Sequence, residues 1–334
     1  MKITIKDVAK EANVSPSTVS RVLSNSNRIS EETKTRVNKA VQKLNYTPNI
    51  IARGLANNRT KILAAVLPQS AEGLFENPFF IQAMRGMSIY AQKENYYIMY
   101  AFKEDDKDDE VWIRRFIDSN LVDGICLLNS KEDDKCIKYL KEQSVDFVVI
   151  GRPEEASDVL WVDNNNVKAM KDLVCHLIKK GHKRIGFMGA RGNLNVSIDR
   201  LKGYQEALID NGIKIDSNLI MDLKNFTEEQ GYKGAKSLLS IVEPTAIVTT
   251  DDLLAFGVQK YLLEKNITTI DLVGFNNSPL SKYQNPPLSS VDINSNKLGY
   301  YAAKLLIDKL EGRIDGVSNY IIETELIERE SIKK

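Results

Sequence analysis

The chain has 334 residues, 43% hydrophobic and 27% charged, which is globular material for two or three domains. No apolar run reaches the ~18 residues a membrane helix needs, and the first dozen residues alternate in charge instead of forming a secretory apolar segment. Three cysteines (Cys126, Cys136, Cys175) without CxxC spacing argue against a disulfide framework, so a cytoplasmic protein is expected.

The net charge of +1 is unevenly spread: residues 1–61 hold twelve Lys/Arg against four Asp/Glu, leaving a surplus of negative charge on the rest. A basic head on an acidic body implies a polyanion partner for the head alone, although charge does not separate DNA from RNA or a membrane surface. Caps then mark three short helices. Thr4 is followed three residues on by Asp7, with Val8, Ala9 and Ala12 as the apolar face. Ser15-Pro16 caps a second helix and fills its first position with a residue whose missing N–H costs nothing; Val19, Val22 and Leu23 follow. Ser30 with Glu31-Glu32 opens a third, facing inward through Val37, Ala40, Val41 and Leu44. Two helices joined at Asn13-Val14 and braced by a third describe a helix-turn-helix. The second helix of such a unit enters the major groove N-terminus first, which selects Ser15, Pro16, Ser17, Thr18, Ser20 and Arg21. Arg21 can offer a bidentate fork to guanine, against the alternative of a solvated surface arginine, while Ser15 reads first as a plain cap and Thr18 alternatively as a brace. A fourth segment, Asn49 to Asn57 after Thr47-Pro48, is short, poor in large apolar residues and marginal as an isolated helix, so it is expected to be the linker.

From Ile62 the pattern changes to apolar runs alternating with helical stretches: residues 62–68, 96–102, 123–129 and 146–151, then again 184–190, 246–250 and 272–276. This predicts two α/β lobes with parallel sheets, joined near Trp161-Val162-Asp163, with closing strands around 320–328. The acidic cluster 104–110 reads as a solvated loop.

The head, with its ordered motifs IKDVAKEA, VSPSTVSRVL, LNYTPN and ARGLA, resembles the lactose-repressor (LacI/GalR) family from end to end. The resemblance implies that Pro16, Ser17 and Arg21 make the main major-groove contacts and that Tyr46, Asn49 and Arg53 approach the backbone. Thr4 and Ala52 are counted with them. It makes Leu55 the wedge of a hinge helix that pairs with its twin in a bent minor groove, a role consistent with a helix too weak to stand alone. The resemblance runs through the body, implying a periplasmic-binding-protein-like core of two doubly wound lobes with the ligand between them. The domains expected are a head at 1–47, a hinge and linker at 48–61 and a core at 62–334. Lobe 1 takes about 62–161 and 293–321, and lobe 2 about 162–290 and 322–334, with crossings near 161–163, 290–293 and 320–323.

Cleft positions follow from the same likeness and from the rule that ligands sit at strand C-terminal ends. Arg200 in DRLKGY matches the family's effector-binding arginine, and Phe226 in KNFTEEQ a position where the family places an aromatic against the ligand. Asp251 in TTDDLLAFG ends a strand and can accept from sugar hydroxyls, unless it or Asp252 merely caps the next helix. Asn276 in LVGFNN stands where most family members carry aspartate, which alters the hydrogen-bond pattern. Phe75, Phe79 and Phe80 lie in GLFENPFF; of the adjacent Phe79 and Phe80 only one, Phe79, is expected to face the cleft. Arg152 follows a strand, and Asp163 is a lobe-crossing hydrogen-bond residue or a helix cap. Arg200 as a lobe-face ion pair and Phe226 as a core ring are the structural alternatives.

Within the family, NPFF, AMRG, YYIMYAF, IGRPEE, VLWVDN and DRLKGYQEAL resemble the maltose-operon repressors of Gram-positive bacteria. That implies a homodimer on pseudopalindromic operator DNA with maltose or a short maltodextrin as effector, and no leucine-heptad tail for tetramers. Two other readings stand beside it: a catabolite-control regulator with a phosphoprotein corepressor, and a sugar-binding protein or enzyme. No GxGxxG, Walker A or GxSxG motif supports an enzyme. No cofactor or metal is expected, since His176 and His182 lack a cysteine partner and read as surface residues.

Overall fold

The computed structural model describes residues 3–23, 28–47, 59–67, 77–102, 109–190, 192–316 and 318–333. The hinge candidates Asn49, Ala52, Arg53 and Leu55, the cleft candidate Phe75 and most of the acidic cluster lie outside the described residues. The chain divides into two compact units, 1–61 and 62–334.

The first unit holds α1 (Ile5–Glu11), α2 (Pro16–Leu23) and α3 (Glu31–Lys43). Their starts are local in origin. The Asp7 carboxylate accepts from the Thr4 backbone N–H at 2.8 Å and from its hydroxyl at 2.7 Å, and these bonds hold the Asp7 pKa below its ordinary value. Ser15 Oγ accepts from the Thr18 N–H, and Ser30 Oγ from that of Thr33. Asn13 turns the chain between α1 and α2 at φ 51°, a left-handed conformation that asparagine tolerates. Val8, Ala9, Ala12, Val19, Val22, Val37 and Ala40 form the core, with Ile5, Val14, Leu23, Leu44 and Tyr46 packed against it.

The second unit contains two six-stranded sheets. The first sheet has β1 (Ile62–Leu67), β2 (Tyr97–Phe102), β3 (Gly124–Leu127), β4 (Phe147–Ile150), β5 (Leu160–Asn164) and, late in the chain, β11 (Asn319–Ile322). Their order is β11-β5-β4-β3-β1-β2, parallel throughout. The second sheet has β6 (Ile185–Ala190), β7 (Ile220–Leu223), β8 (Ala246–Thr249), β9 (Asp271–Phe275), β10 (Ser289–Asp292) and β12 (Glu325–Ile327). Its order is β12-β10-β9-β8-β6-β7, with only β12 antiparallel. Along β1, Leu63, Ala65 and Leu67 enter one apolar cluster while Ala64 and Val66 enter another, so both faces of the sheet are covered.

The covering helices of the first lobe are α4 (Pro78–Lys93), α5 (Asp109–Asp118), α6 (Lys135–Glu142) and the late α11 (Ser295–Leu310). Those of the second are α7 (Asn166–Lys179), α8 (Asn195–Asp210), α9 (Glu228–Ile241) and α10 (Asp252–Glu264). Helices α4 and α11 cross backbone against backbone: a Cβ on Gly86 would run into the Asn296 carbonyl, and one on Gly299 into that of Ala83.

The chain passes between the sheets three times, after β5, after β10 and between β11 and β12. Three details differ from the sequence reading. All of β5, through Asn164, belongs to the first sheet, so the crossing falls later than 161–163. Ile322 also pairs within the first sheet, opposite Asn164. Strands β7 and β10 were absent from the apolar-run pattern: β7 is an incompletely buried edge strand, and β10 is largely polar in sequence (SSVD).

Candidate functional sites: an exposed helix end and an inter-lobe cleft

On the head, α2 presents its N-terminal turn to solvent. Ser15, Pro16, Ser17 and Arg21 are exposed, and Thr18 and Ser20 half-buried. The Ser15 hydroxyl lies 2.8 Å from that of Ser17 and 2.9 Å from that of Thr18, so three hydroxyls share one helix end. Ser15 is both the cap and a member of this surface. Thr4 is exposed beside its Asp7 partner, and Tyr46 is half-buried with its ring against the head core.

In the body, strand C-terminal ends from both sheets surround a cavity of about 780 Å³, counting its open mouth. The first lobe contributes Asn77, Phe79, Phe80 and Ser130, and the second Arg200, Phe226, Thr250, Asp251 and Asn276. Asp163 and Asn164 border it where β5 leads into the first crossing.

Arg200 is the anchor. Its Nε donates to Asn166 Oδ1 at 3.0 Å, its Nη1 to the Thr250 carbonyl at 2.6 Å, and its guanidinium lies 4.2 Å from the Phe275 ring centre. Burial lowers its pKa to about 10, opposed by the charges of Asp251 and Asp163. Both carboxylates are buried, and burial raises each to about 6. Asp163 accepts from the Arg152 N–H at 2.8 Å, the Asn164 N–H at 2.7 Å and Asn166 Nδ2 at 2.9 Å, tying a first-lobe loop to the start of α7. The cap of α7 is Asn165, whose side chain accepts from the Lys168 N–H. Asp251 both caps α10, through the Leu253 N–H at 2.8 Å, and borders the cavity. Its second oxygen accepts from Asn276 Nδ2 at 2.8 Å and, from the other lobe, Asn77 Nδ2 at 3.1 Å. Asn276 holds φ 99°, an unusual conformation of the kind that collects at binding sites.

Asp252 is turned away into a polar knot, accepting from Ser290 Oγ at 2.6 Å, the Ser278 N–H at 2.6 Å and Ser281 Oγ at 2.8 Å. Burial raises it to about 7. At the rim the two lobes touch. Asn195 Nδ2 donates to Ser130 Oγ at 2.6 Å and to the Arg152 carbonyl at 2.9 Å, and Lys131 pairs with Leu194 as a single antiparallel bridge.

The comparisons with known proteins agree with this architecture. Residues 4–49 match the lacI family of bacterial regulatory proteins, and residues 174–332 a periplasmic binding protein-like domain. The chain is 39% identical over 311 residues to the HTH-type transcriptional regulator MalR of Streptococcus pneumoniae (strain ATCC BAA-334 / TIGR4), covering 92% of each protein. It is 31% identical over 294 residues to catabolite control protein A of Staphylococcus xylosus, covering 87% of each. A solved transcriptional regulator CelR–cellobiose complex superposes with a TM-score of 0.78 at 27% identity, over 99% of this chain and 100% of that one. The chain belongs to the lacI family.

As a lacI-family transcriptional regulator it carries the two α/β lobes and helix-turn-helix head read from its sequence. Of the cleft candidates, Phe79, Asp163, Arg200, Phe226, Asp251 and Asn276 border one cavity. Phe80 borders it too, against the expectation of one ring: the pair meets edge to face at 5.1 Å, which lets both reach the wall. Arg152 does not border it; its side chain is exposed, with the guanidinium 5.7 Å from the Trp161 ring centre, and only its backbone joins the network. His182 is not a free surface residue, since its ring bridges Thr245 Oγ1 at 3.0 Å and Asp271 Oδ2 at 3.1 Å.

Sequence reasoning missed Asn77, Ser130, Asn164, Asn195 and Thr250. Asn77 left a signal, because its side chain caps α4 ahead of Pro78. Asn164 left none: its Nδ2 donates to the Ile293 carbonyl at 3.0 Å and the Ile322 carbonyl at 2.8 Å, so one amide stitches all three crossings together.

Proposed function

We propose that this regulator is a cytoplasmic repressor of sugar-utilisation genes, released from its operator when maltose or a short maltodextrin fills the inter-lobe cleft. The observation that carries the reading is the cavity itself. Polar groups from both lobes converge on it, with Asn77 reaching Asp251 across the gap, beside Phe79, Phe80 and Phe226. Rings with a guanidinium, carboxylates and amides suit a pyranose, whose faces are apolar and whose rim is hydroxylated. The MalR relative and the CelR–cellobiose complex support a small α- or β-glucoside as the ligand class.

In this reading the α2 hydroxyls and Arg21 read base edges, with Thr4 and Tyr46 on the backbone. Residues 48–61 connect head and core, and Leu55 acts as the minor-groove wedge. Two copies associate through their bodies and place two heads on a pseudopalindrome. Exposed apolar side chains on one side of the first lobe support this: Ile81 and Ile89 on α4, with Tyr100 of the edge strand β2, whose hydroxyl lies 3.1 Å from Ser88 Oγ on that helix. Because ligand groups bind both lobes, cleft occupancy biases their relative orientation, and ~1–3 kcal/mol of coupling changes operator affinity about 5–150-fold.

The test is selection of duplexes from a random pool by the purified dimer, followed by anisotropy titration with maltose, maltotriose and cellobiose. Release by a maltodextrin supports the reading. Tightening of operator binding by a phosphoprotein corepressor, with no response to any sugar, would establish the catabolite-control alternative, which the likeness to catabolite control protein A supports.

A further inference from the structure

The three crossings that join the lobes meet at one buried amide. Asn164 is the last residue of β5, opposite Ile322 in β11, and beyond it the chain leaves the first sheet. Its Nδ2 donates to the Ile293 carbonyl at 3.0 Å in the second crossing and to the Ile322 carbonyl at 2.8 Å in the third. The residue is 6% exposed, and Ile293 and Ile322 are buried with it. A second amide works nearby. Asn294, at φ 53°, donates from Nδ2 to the Glu323 carbonyl at 3.0 Å, which links the second and third crossings and leaves out the first. Asn164 is the group that bonds across all three.

The first crossing is also where the cleft anchor is attached. Asn166, buried at the start of α7, accepts from Arg200 Nε at 3.0 Å and donates to Asp163 Oδ1 at 2.9 Å. The same carboxylate oxygen accepts from the Asn164 N–H at 2.7 Å. A continuous run of hydrogen bonds therefore leads from Arg200 through Asn166 and Asp163 to Asn164, and from Asn164 to the other two crossings. Only a primary amide suits the last step. It carries two N–H groups on one nitrogen, and here each meets a carbonyl; a hydroxyl would serve one of them, a leucine of similar size neither, and a carboxylate would oppose oxygen to oxygen. Asn164, Ile293 and Ile322 all lie at the ends of elements, where hinge rotation is absorbed.

Building on the cleft reading above, we infer that Asn164 is the positioning residue of the response: its amide makes the three crossings turn as one pivot, so that a ligand held by Arg200 biases the orientation of one whole lobe against the other. Without that amide the first crossing yields locally, and the lobes stop following the ligand. Sugar and operator are each still bound, but neither weakens the other, because coupling requires an element whose arrangement both sites bias.

The test reads that coupling directly. The probe sugar is whichever of maltose, maltotriose and cellobiose raises the melting temperature of the parent dimer most, and the operator is a duplex the parent selects from a random pool. Anisotropy gives the ratio of operator dissociation constants with and without saturating sugar, and calorimetry the sugar affinity of the free protein. Asn164→Leu is expected to keep each separate affinity within about threefold of the parent and to bring the ratio within about twofold of one. Asn164→Ser, smaller and left with a single donor, is expected to do the same and carries the test should the leucine variant not fold. Asn294→Gly keeps the left-handed backbone while removing the other amide, and is expected to hold the parent's ratio within about twofold. A parent-like ratio in the Asn164 variants, with or without losses in the separate affinities, would leave the amide a purely structural group. An equal loss of the ratio in Asn294→Gly would show that any lacing of the crossings suffices; either result overturns the inference. A parent protein indifferent to all three sugars would instead remove the cleft reading beneath it.

Discussion

On the head, the hydroxyls of Ser15, Ser17 and Thr18 meet one another at the surface, whereas in the cleft Asp163, Arg200 and Asp251 are buried and each holds two or three neighbours. The two sites therefore stand in different relations to folding. Apart from Ser15, which caps α2, groups at the α2 end are hydrated before any partner arrives, so they add little to stability. The cleft groups were already desolvated when the chain folded. A ligand there enters a network that the fold itself needs, which is how occupancy can be felt at a distance. On the head the proposed reading groups other than the Ser15 cap are then separable from stability, whereas the buried charged groups of the cleft are not.

The sharpest way to break that contrast is Arg200→Ala. It removes the positive charge between two buried carboxylates and frees Asn166 Oδ1 and the Thr250 carbonyl. Leaving buried charge uncompensated costs about 3 kcal/mol or more, so chemical denaturation should show a loss of that size together with loss of any sugar response. A variant as stable as its parent would mean that the network carries no structural load. Arg21→Ala is the counterpart on the head. It should change stability by less than about 0.5 kcal/mol while costing ~1–3 kcal/mol of operator affinity and relaxing base preference at one position. Equal weakening on every duplex would assign Arg21 to phosphate alone.

The same contrast explains which parts of the molecule could be read from sequence. Head helices announce themselves because a cap is local: Thr4 and Asp7, Ser15 and Thr18, and Ser30 and Thr33 lie three residues apart. Strands buried on both faces are legible as apolar runs. Strand β10 was not, since its buried Ser289 and Ser290 look like loop residues until Arg329 and Ser331 from the chain's end and Asp252 supply their partners. In the cleft, family likeness found the charged and aromatic members. It passed over Asn164, whose partners lie 129 and 158 positions away, and Asn195, whose partner Ser130 lies 65 away. Small polar residues in loops carry no periodic signal, and only the fold reveals what they hold.

Burial of acids in the body sharpens the comparison through pH. Asp252 is raised by burial from 3.8 to about 7, so the folded chain holds that proton more tightly than the unfolded one. Its contribution is fully present below pH 3.8 and is lost as pH climbs through the folded value near 7. Asp252→Asn does not ionise, and its amide can still serve the surrounding serines. The stability of the variant relative to the parent should therefore rise between about pH 4 and pH 7 and level off above it, as followed by urea unfolding at fixed ionic strength. A difference independent of pH would place Asp252 in its ionised form throughout. Asp7 on the head is exposed and lowered by its bonds to Thr4, so its linkage has the opposite sign.

The smallest expected effect concerns the rim, where the cleft most resembles a surface. Asn195→Ala removes the amide bonds to Ser130 Oγ and the Arg152 carbonyl but keeps the backbone bonds from Asn195 to Ser130 and from Glu132 to Asn193. Each lost bond is worth ~0.5–1.5 kcal/mol, and the half-buried position lets water replace part of that. The residue is a clasp between lobes, and nothing in the core rests on it, so overall stability should fall by no more than about 1 kcal/mol. Any arrangement of the lobes that keeps Asn195 at Ser130 should lose more than one that parts them. Sugar dissociation in stopped flow is then expected to quicken about five- to tenfold with a smaller change in association, as most affinity changes reside in the off-rate. An unchanged off-rate would mean that ligand leaves by another side of the cavity and that the Ser130–Asn195 contact holds the lobes without gating them.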